Sequence, residues 1–197
     1  MVKSGQQKLR NLEIIGTLLI FLSGILLHFL YDITQKSVVG ILFGCVNESI
    51  WEHSKVFALA LCVWTIIELA CSVPYFRQFI VAKVFSLYLQ CTVIITGIFL
   101  YQNITEKIIP LSKVGIISFF AVVISQFTAY KFTISEKDIR ELFPLALGFL
   151  FLFFIIFFCF SVVPPHMAVF KDPLTQIYGI IPKNIDVGAY FMNNTEV

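Results

Sequence analysis

The chain has 197 residues, 58% of them hydrophobic and 13% charged, with 22 phenylalanines, a formal charge of +2 and a mean hydropathy of +0.90. So apolar a composition excludes a soluble globular domain and specifies a multi-pass membrane protein whose surroundings are the lipid bilayer. The mild charge, without a basic block, excludes nucleic acid as a partner, and cysteines at 45, 62, 71, 91 and 159, with no CxxC or metal-type spacing, give no disulfide framework.

Lys3, Lys8 and Arg10 precede the first apolar run. That run is too long for a signal-peptide core and no small-residue cleavage site follows it, so it reads as a retained helix. Five segments have the roughly 20 apolar residues that a helix needs to cross the hydrocarbon core: 12–31, 54–76, 79–101, 110–130 and 142–163. Backbone groups find no partner in lipid, so these segments must be helical. The expectation is an all-α polytopic bundle of five transmembrane helices in one integral membrane domain, with a tail over 164–197. Between the first two spans, residues 38–46 are apolar but too short to cross, which predicts a re-entrant or interfacial segment in which Gly40 and Gly44 permit turning or close approach.

Basic residues near the span ends set orientation. One face holds Lys3, Lys8, Arg10, Arg77, Lys83, Lys131, Lys137 and Arg140; the other holds Lys36, Lys55, Lys107, Lys113, Lys171 and Lys183. The excess is small, but the cluster ahead of the first span places the amino terminus in the cytoplasm and the carboxyl terminus outside the cell membrane.

The stretch Asn47-Glu48-Ser49-Ile50-Trp51-Glu52-His53 is densely polar for so apolar a chain. Part of it is explained by capping: Asn47 and Ser49 suit a helix N-cap, Ser49 and Glu52 have capping-box spacing, and acids favour a helix amino end. Trp51 suits the membrane interface. His53 and the second acid are left over. The topology puts His28, His53 and His166 on one face, with Asp32, Glu48, Glu52 and Asp172 at the same level. Pro164-Pro165 stop the last helix and fix His166 at the interface, and Asp172-Pro173 signals a turn.

Glu68 lies well inside the second span, where an unpaired carboxylate is costly. Gln126 and then Gln90 are its expected partners across the bundle, with Trp64 and Ser72 on its own helix. Either a proton or cation site or a neutral interhelical hydrogen bond would result.

The strings His28-Phe29-Leu30-Tyr31-Asp32, Val46-Asn47-Glu48-Ser49-Ile50-Trp51-Glu52-His53, Pro164-Pro165-His166, Asp172-Pro173 and Tyr178-Gly179-Ile180 together resemble a family of short multi-pass bacterial membrane proteins of unknown function. The resemblance implies the fold and topology and brings no activity with it.

From the residues themselves the expected function is a metal-dependent hydrolase acting on an amphiphilic, lipid-like substrate at the interface. His28, His53 and His166 would bind Zn²⁺ and leave a fourth position for water. Glu52 or Glu48 would act as general base, with Asp32, Asp172 and Asn47 supporting the ligands from behind. The alternative is a non-enzymatic membrane protein, either a component that binds or transports a cation or an assembly scaffold.

Overall fold

A chain in hydrocarbon must bond its backbone groups to itself, and the fold is accordingly helical. The computed structural model describes residues 2–71 and 74–181; Ser72, Lys183 and the rest of the tail beyond Ile181 lie outside the described residues. Its α-helices are α1 (Val2–His28), α2 (Leu30–Ile33), α3 (Val38–Phe43), α4 (Ile50–Ala70), α5 (Phe76–Thr105), α6 (Leu111–Thr133) and α7 (Phe143–Val162), with 3₁₀ turns at Arg140–Leu142 and Ala168–Phe170. Among the described residues there is no strand beyond an isolated bridge between Lys171 and Tyr178. Five helical segments are long and apolar enough to cross a membrane: Gly5–His28, Ile50–Ala70, Phe76–Thr105, Leu111–Thr133 and Arg140–Val162.

Two boundaries differ from the sequence expectation in ways that matter for function. The first span stops at His28, and Tyr31 and Asp32 belong to the separate turn α2. The second begins at Ile50, earlier than residue 54, because the Ser49 hydroxyl accepts the Glu52 N–H at 3.4 Å and starts the helix there. His53 is therefore fixed inside the first turn of α4 rather than lying before it. The apolar stretch over 38–46 becomes α3, a helix of 6 residues whose N-cap Ser37 accepts the Gly40 N–H. It packs against α4 and α7 without crossing.

Side chains sort inside out relative to a soluble protein. On α1, Ile14, Leu18, Leu22 and Leu26 are exposed, whereas Leu9, Glu13 and Ile20 are buried against the bundle. Lipid is as apolar as leucine, so contact between helices is decided by packing and polar groups instead of hydrophobic exclusion. Small residues allow that contact: a Cβ on Gly24 would lie 2.2 Å from Cδ1 of Phe57, and one on Gly16 would lie 2.1 Å from the indole nitrogen of Trp64. Gly24 opposite Phe57 and Gly16 opposite Trp64 fix α1 and α4 as antiparallel neighbours.

After Pro164-Pro165 break α7, the chain folds back over the same end. Phe170 meets Trp51 at 4.9 Å between ring centroids and Phe160 at 5.3 Å, while Trp51 also stacks on Phe157 at 4.6 Å. Trp51 is thus a packing residue at the start of α4, 9% exposed.

Gly24→Ala should separate α1 from α4 and cost about 1–3 kcal/mol, as overpacking does. Gly148→Ala on α7, where a Cβ would meet nothing within 4 Å, should be neutral or stabilise by up to about 1 kcal/mol through helix propensity. Denaturation of the two variants in detergent compares them directly; equal losses would contradict the packing assigned to Gly24.

Candidate functional site

His28 ends α1 and His53 sits in the first turn of α4, so the antiparallel contact brings them together. Their rings lie 5.3 Å apart and nearly parallel, at 21°. Glu48 spans the pair, with Oε1 3.6 Å from Nε2 of His28 and Oε2 3.4 Å from Nε2 of His53. Cys45 completes the cluster: one donor atom from each of His28, Cys45 and His53 lies within 4.8 Å of the others. His53 and Cys45 are buried and His28 half-buried, while the Glu48 side chain keeps 27% of its exposure.

The loop that delivers Cys45 and Glu48 is held by hydrogen bonds from both sides. Asn47 accepts the Ser49 N–H at 2.9 Å and donates from Nδ2 to the Gly179 carbonyl at 2.7 Å, tying the loop to the returning tail. Asp172 accepts the Glu48 N–H at 3.0 Å through Oδ2 and caps its own turn by accepting from Leu174 and Thr175 through Oδ1. Asn47 and Asp172 therefore shape the backbone around Glu48, and among the described residues neither bonds a histidine ring. Asp32 is exposed in α2.

Glu52 is occupied elsewhere. Its Oε2 accepts the Val46 N–H at 3.0 Å and lies 2.6 Å from Nζ of Lys55. Lys55, fully buried, also donates to Ser161 at 2.9 Å and to the Ile41 carbonyl at 3.2 Å. Three acceptors match the three donors of an ammonium. Only half of the expected capping box forms, because the Ser49 N–H goes to Asn47 and the Glu52 carboxylate goes to Val46 and Lys55. This pair joins α3, α4 and α7 beneath the histidines.

His166 does not join the other two histidines in that cluster. Its ring stacks on Tyr178 at 4.6 Å and 16°, within the returning tail. The three-histidine set expected from sequence is thus replaced by His28, Cys45 and His53. Membrane level was readable from topology, but sideways position around the bundle was not. Cys45 has no metal-type spacing to another cysteine; its place two residues before Asn47 is the one signal the sequence offers for it.

Glu68 lies in the last turn of α4, because the helix ends at Ala70 and not near residue 76, and it has a different partner from the one expected. Its Oε2 lies 2.6 Å from Nζ of Lys83, which in turn lies 2.7 Å from Oε2 of Glu13 and donates to Oε1 of Gln126 at 3.1 Å. Gln126 thus reaches the cluster through Lys83. Gln90 is engaged one level away, donating to the Phe57 carbonyl at 2.9 Å and accepting from Ser125 at 2.8 Å. Lys83, by sequence position an interfacial charge, is instead buried with Glu13 between the helices.

An apolar cavity of about 570 Å³ between α1, α4 and α6 ends at His28 and His53. Phe21, Ile25, Phe57 and Phe119 line it, and its wall residues Ile116 and Phe120 are 57% and 58% exposed. In a membrane those faces meet acyl chains, so the cavity opens sideways into lipid.

Burial, with the charges of Asp172 and Asp32 adding to it, pushes the Glu48 carboxyl from its ordinary 4.5 up to about 7. Burial likewise pushes the Cys45 thiol well up, with Glu48 and Glu52 reinforcing it. An acid whose folded value is raised favours folding fully below its unfolded value, and that advantage is lost as pH rises towards the folded value. The metal-free protein should therefore lose stability between about pH 4.5 and 7, and Glu48→Gln should flatten that part of the curve. Thermal unfolding across this range tests it; an unchanged slope in the variant would contradict the assignment.

No curated protein and no solved structure matches the chain. Residues 1–180 match the family of unknown function DUF6512, a match that runs through both polar clusters and the five membrane-crossing segments, and the chain belongs to that family.

Proposed function

We propose that the protein is a metal-dependent hydrolase acting on the polar end of an amphiphile at the membrane interface. The observation that carries this reading is the junction of two features: a His28–Cys45–His53 donor group with Glu48 against it, and an apolar, laterally open cavity ending at the same two histidines.

The donor set fits a transition metal. Two imidazoles and a thiol suit zinc and similar ions, and a three-ligand site leaves one position for water. A tetrahedral zinc site has donor–donor edges of about 3.4–3.7 Å, and the three donors already lie within 4.8 Å of one another. Seating an ion requires them to close by about 1 Å and requires the Cys45 proton to leave, which the charge of the ion promotes. Such an ion lowers the pKa of bound water to about 7.

Glu48 is the base in this reading. Its carboxylate lies 3.4–3.6 Å from both histidine rings, placed to take a proton from water held between them, and it is less buried than Glu52. Glu52 is paired with Lys55 and keeps the loop in place. The cavity, about 570 Å³, is within the range of small-molecule pockets, roughly 300–1,000 Å³, and its apolar wall suits an acyl chain. With the amino terminus in the cytoplasm, the reacting group lies at the outer leaflet.

Purified protein should carry about one zinc per chain. His53→Ala and Cys45→Ser should each lower metal retention at least tenfold. His166→Ala should retain metal as wild type does, because its ring sits on Tyr178. Elemental analysis reads the metal, and release of a cleaved headgroup from a panel of lipids reads the activity. Metal-free wild-type protein after zinc loading, or metal loss in His166→Ala alone, would overturn this reading.

A further inference from the structure

A second buried polar cluster lies at the opposite end of the bundle. Glu13 on α1 faces Glu68 on α4, with Lys83 of α5 bridging their Oε2 atoms at 2.7 and 2.6 Å and Gln126 of α6 taking the third donor of the ammonium. Exposure is 4% for Glu13, 0% for Glu68, 2% for Lys83 and 1% for Gln126. Two carboxylates and one ammonium leave one uncompensated negative charge in the apolar interior, which is expensive. Lys8 and Arg10 nearby are exposed, and among the described residues no ion pair links them to the cluster. α7 has no acid, lysine, arginine or histidine.

The remaining atoms point the same way. Oε1 of Glu13 and both carboxylate oxygens of Glu68 are buried without completing a hydrogen bond, Oε2 of Glu68 meeting Lys83 as an ion pair outside hydrogen-bond geometry. The indole N–H of Trp64, on a residue only 7% exposed, faces Glu68 but completes no hydrogen bond. Ser86, one turn along α5 from Lys83, has a buried hydroxyl in the same condition. A metal cation is a poor remedy for the excess charge, because the ammonium already stands between the carboxylates and would repel it. A proton neutralises the charge without needing space.

We propose that Glu13, Glu68 and Lys83 form a proton-binding site within the membrane, holding one exchangeable proton on the carboxylate pair at the end of the bundle remote from the histidines. The amino group of Lys83, in contact with both, fixes the two carboxylates. Glu68, in the last turn of α4, is the member nearest the membrane face where that helix ends, and protons exchange with that face. This site does not depend on the metal reading of the histidine end.

Infrared spectroscopy of the full-length chain in bilayers tests this. A Glu48→Gln background keeps that carboxyl from contributing. At neutral pH the chain should show a protonated-carboxyl band worth one group, shifting in D₂O and disappearing at high pH. Glu13→Gln or Glu68→Gln should each abolish the band, since the remaining carboxylate then pairs one to one with Lys83. Lys83→Met should raise it about two-fold, because neither carboxyl can then stay ionised. Isotope-labelled glutamate in the otherwise unsubstituted background tells a glutamate carboxyl from the aspartates, and Glu68→Asp, which keeps a carboxyl near Lys83, should take part of the band out of the labelled set where a glutamine variant fails to fold. Absence of the band, failure to shift with labelled glutamate, or survival in both glutamine variants would each overturn the proposal.

Discussion

The antiparallel contact between α1 and α4 is the constraint on which the rest depends. Gly16 and Gly24 let Trp64 and Phe57 reach the α1 backbone, and that register sets His28 against His53 and Glu13 against Glu68. The two pairs are separated by fifteen residues on both helices, which at 1.5 Å per residue is about 22 Å. One packing interface therefore sets the depth of both polar clusters. A shift by one turn would part the histidines and leave Lys83 facing one acid. The cost of an unpaired charge in hydrocarbon gives the register its specificity.

The loop between α3 and α4 depends on the buried pair of Glu52 and Lys55. Joining α3, α4 and α7 through Ile41, Val46 and Ser161, it positions the segment that carries Cys45, Asn47 and Glu48. Such a pair adds little net stability compared with apolar residues of the same shape, while loss of one member leaves a buried charge costing about 3–5 kcal/mol. Its contribution is positional. Glu48, anchored by backbone to Asp172, is left free to present its carboxylate to the histidines and to solvent.

Much of the architecture was legible in the sequence because hydropathy and backbone satisfaction decide it: five apolar segments gave five helices long enough to cross a membrane, and the short apolar run gave a helix too short to cross. The dense polar motif was legible as a place where capping alone did not suffice. What remained hidden was the angular arrangement around the bundle. Topology puts His28, His53 and His166 at one level, but only packing separates the ring that meets His53 from the ring that meets Tyr178. Cys45, Lys55, Lys83 and Glu13 were missed for a related reason. A thiol in an apolar run resembles a small hydrophobe, and charges near span ends resemble interfacial anchors; pairing in three dimensions distinguishes them. The equal interval from Glu13 to His28 and from His53 to Glu68 is the signal the sequence carries for Glu13.

In the proposed metal centre, the α1–α4 register and the loop before α4 bring His28, His53 and Cys45 together. X-ray absorption at the zinc edge of the purified, zinc-loaded chain examines that centre directly. The expected shell has two imidazole nitrogens at about 2.0–2.1 Å and one sulfur at about 2.3 Å, with the sulfur lost in Cys45→Ser. A shell made only of oxygen, or one that contains no sulfur and is unchanged in Cys45→Ser, would contradict it.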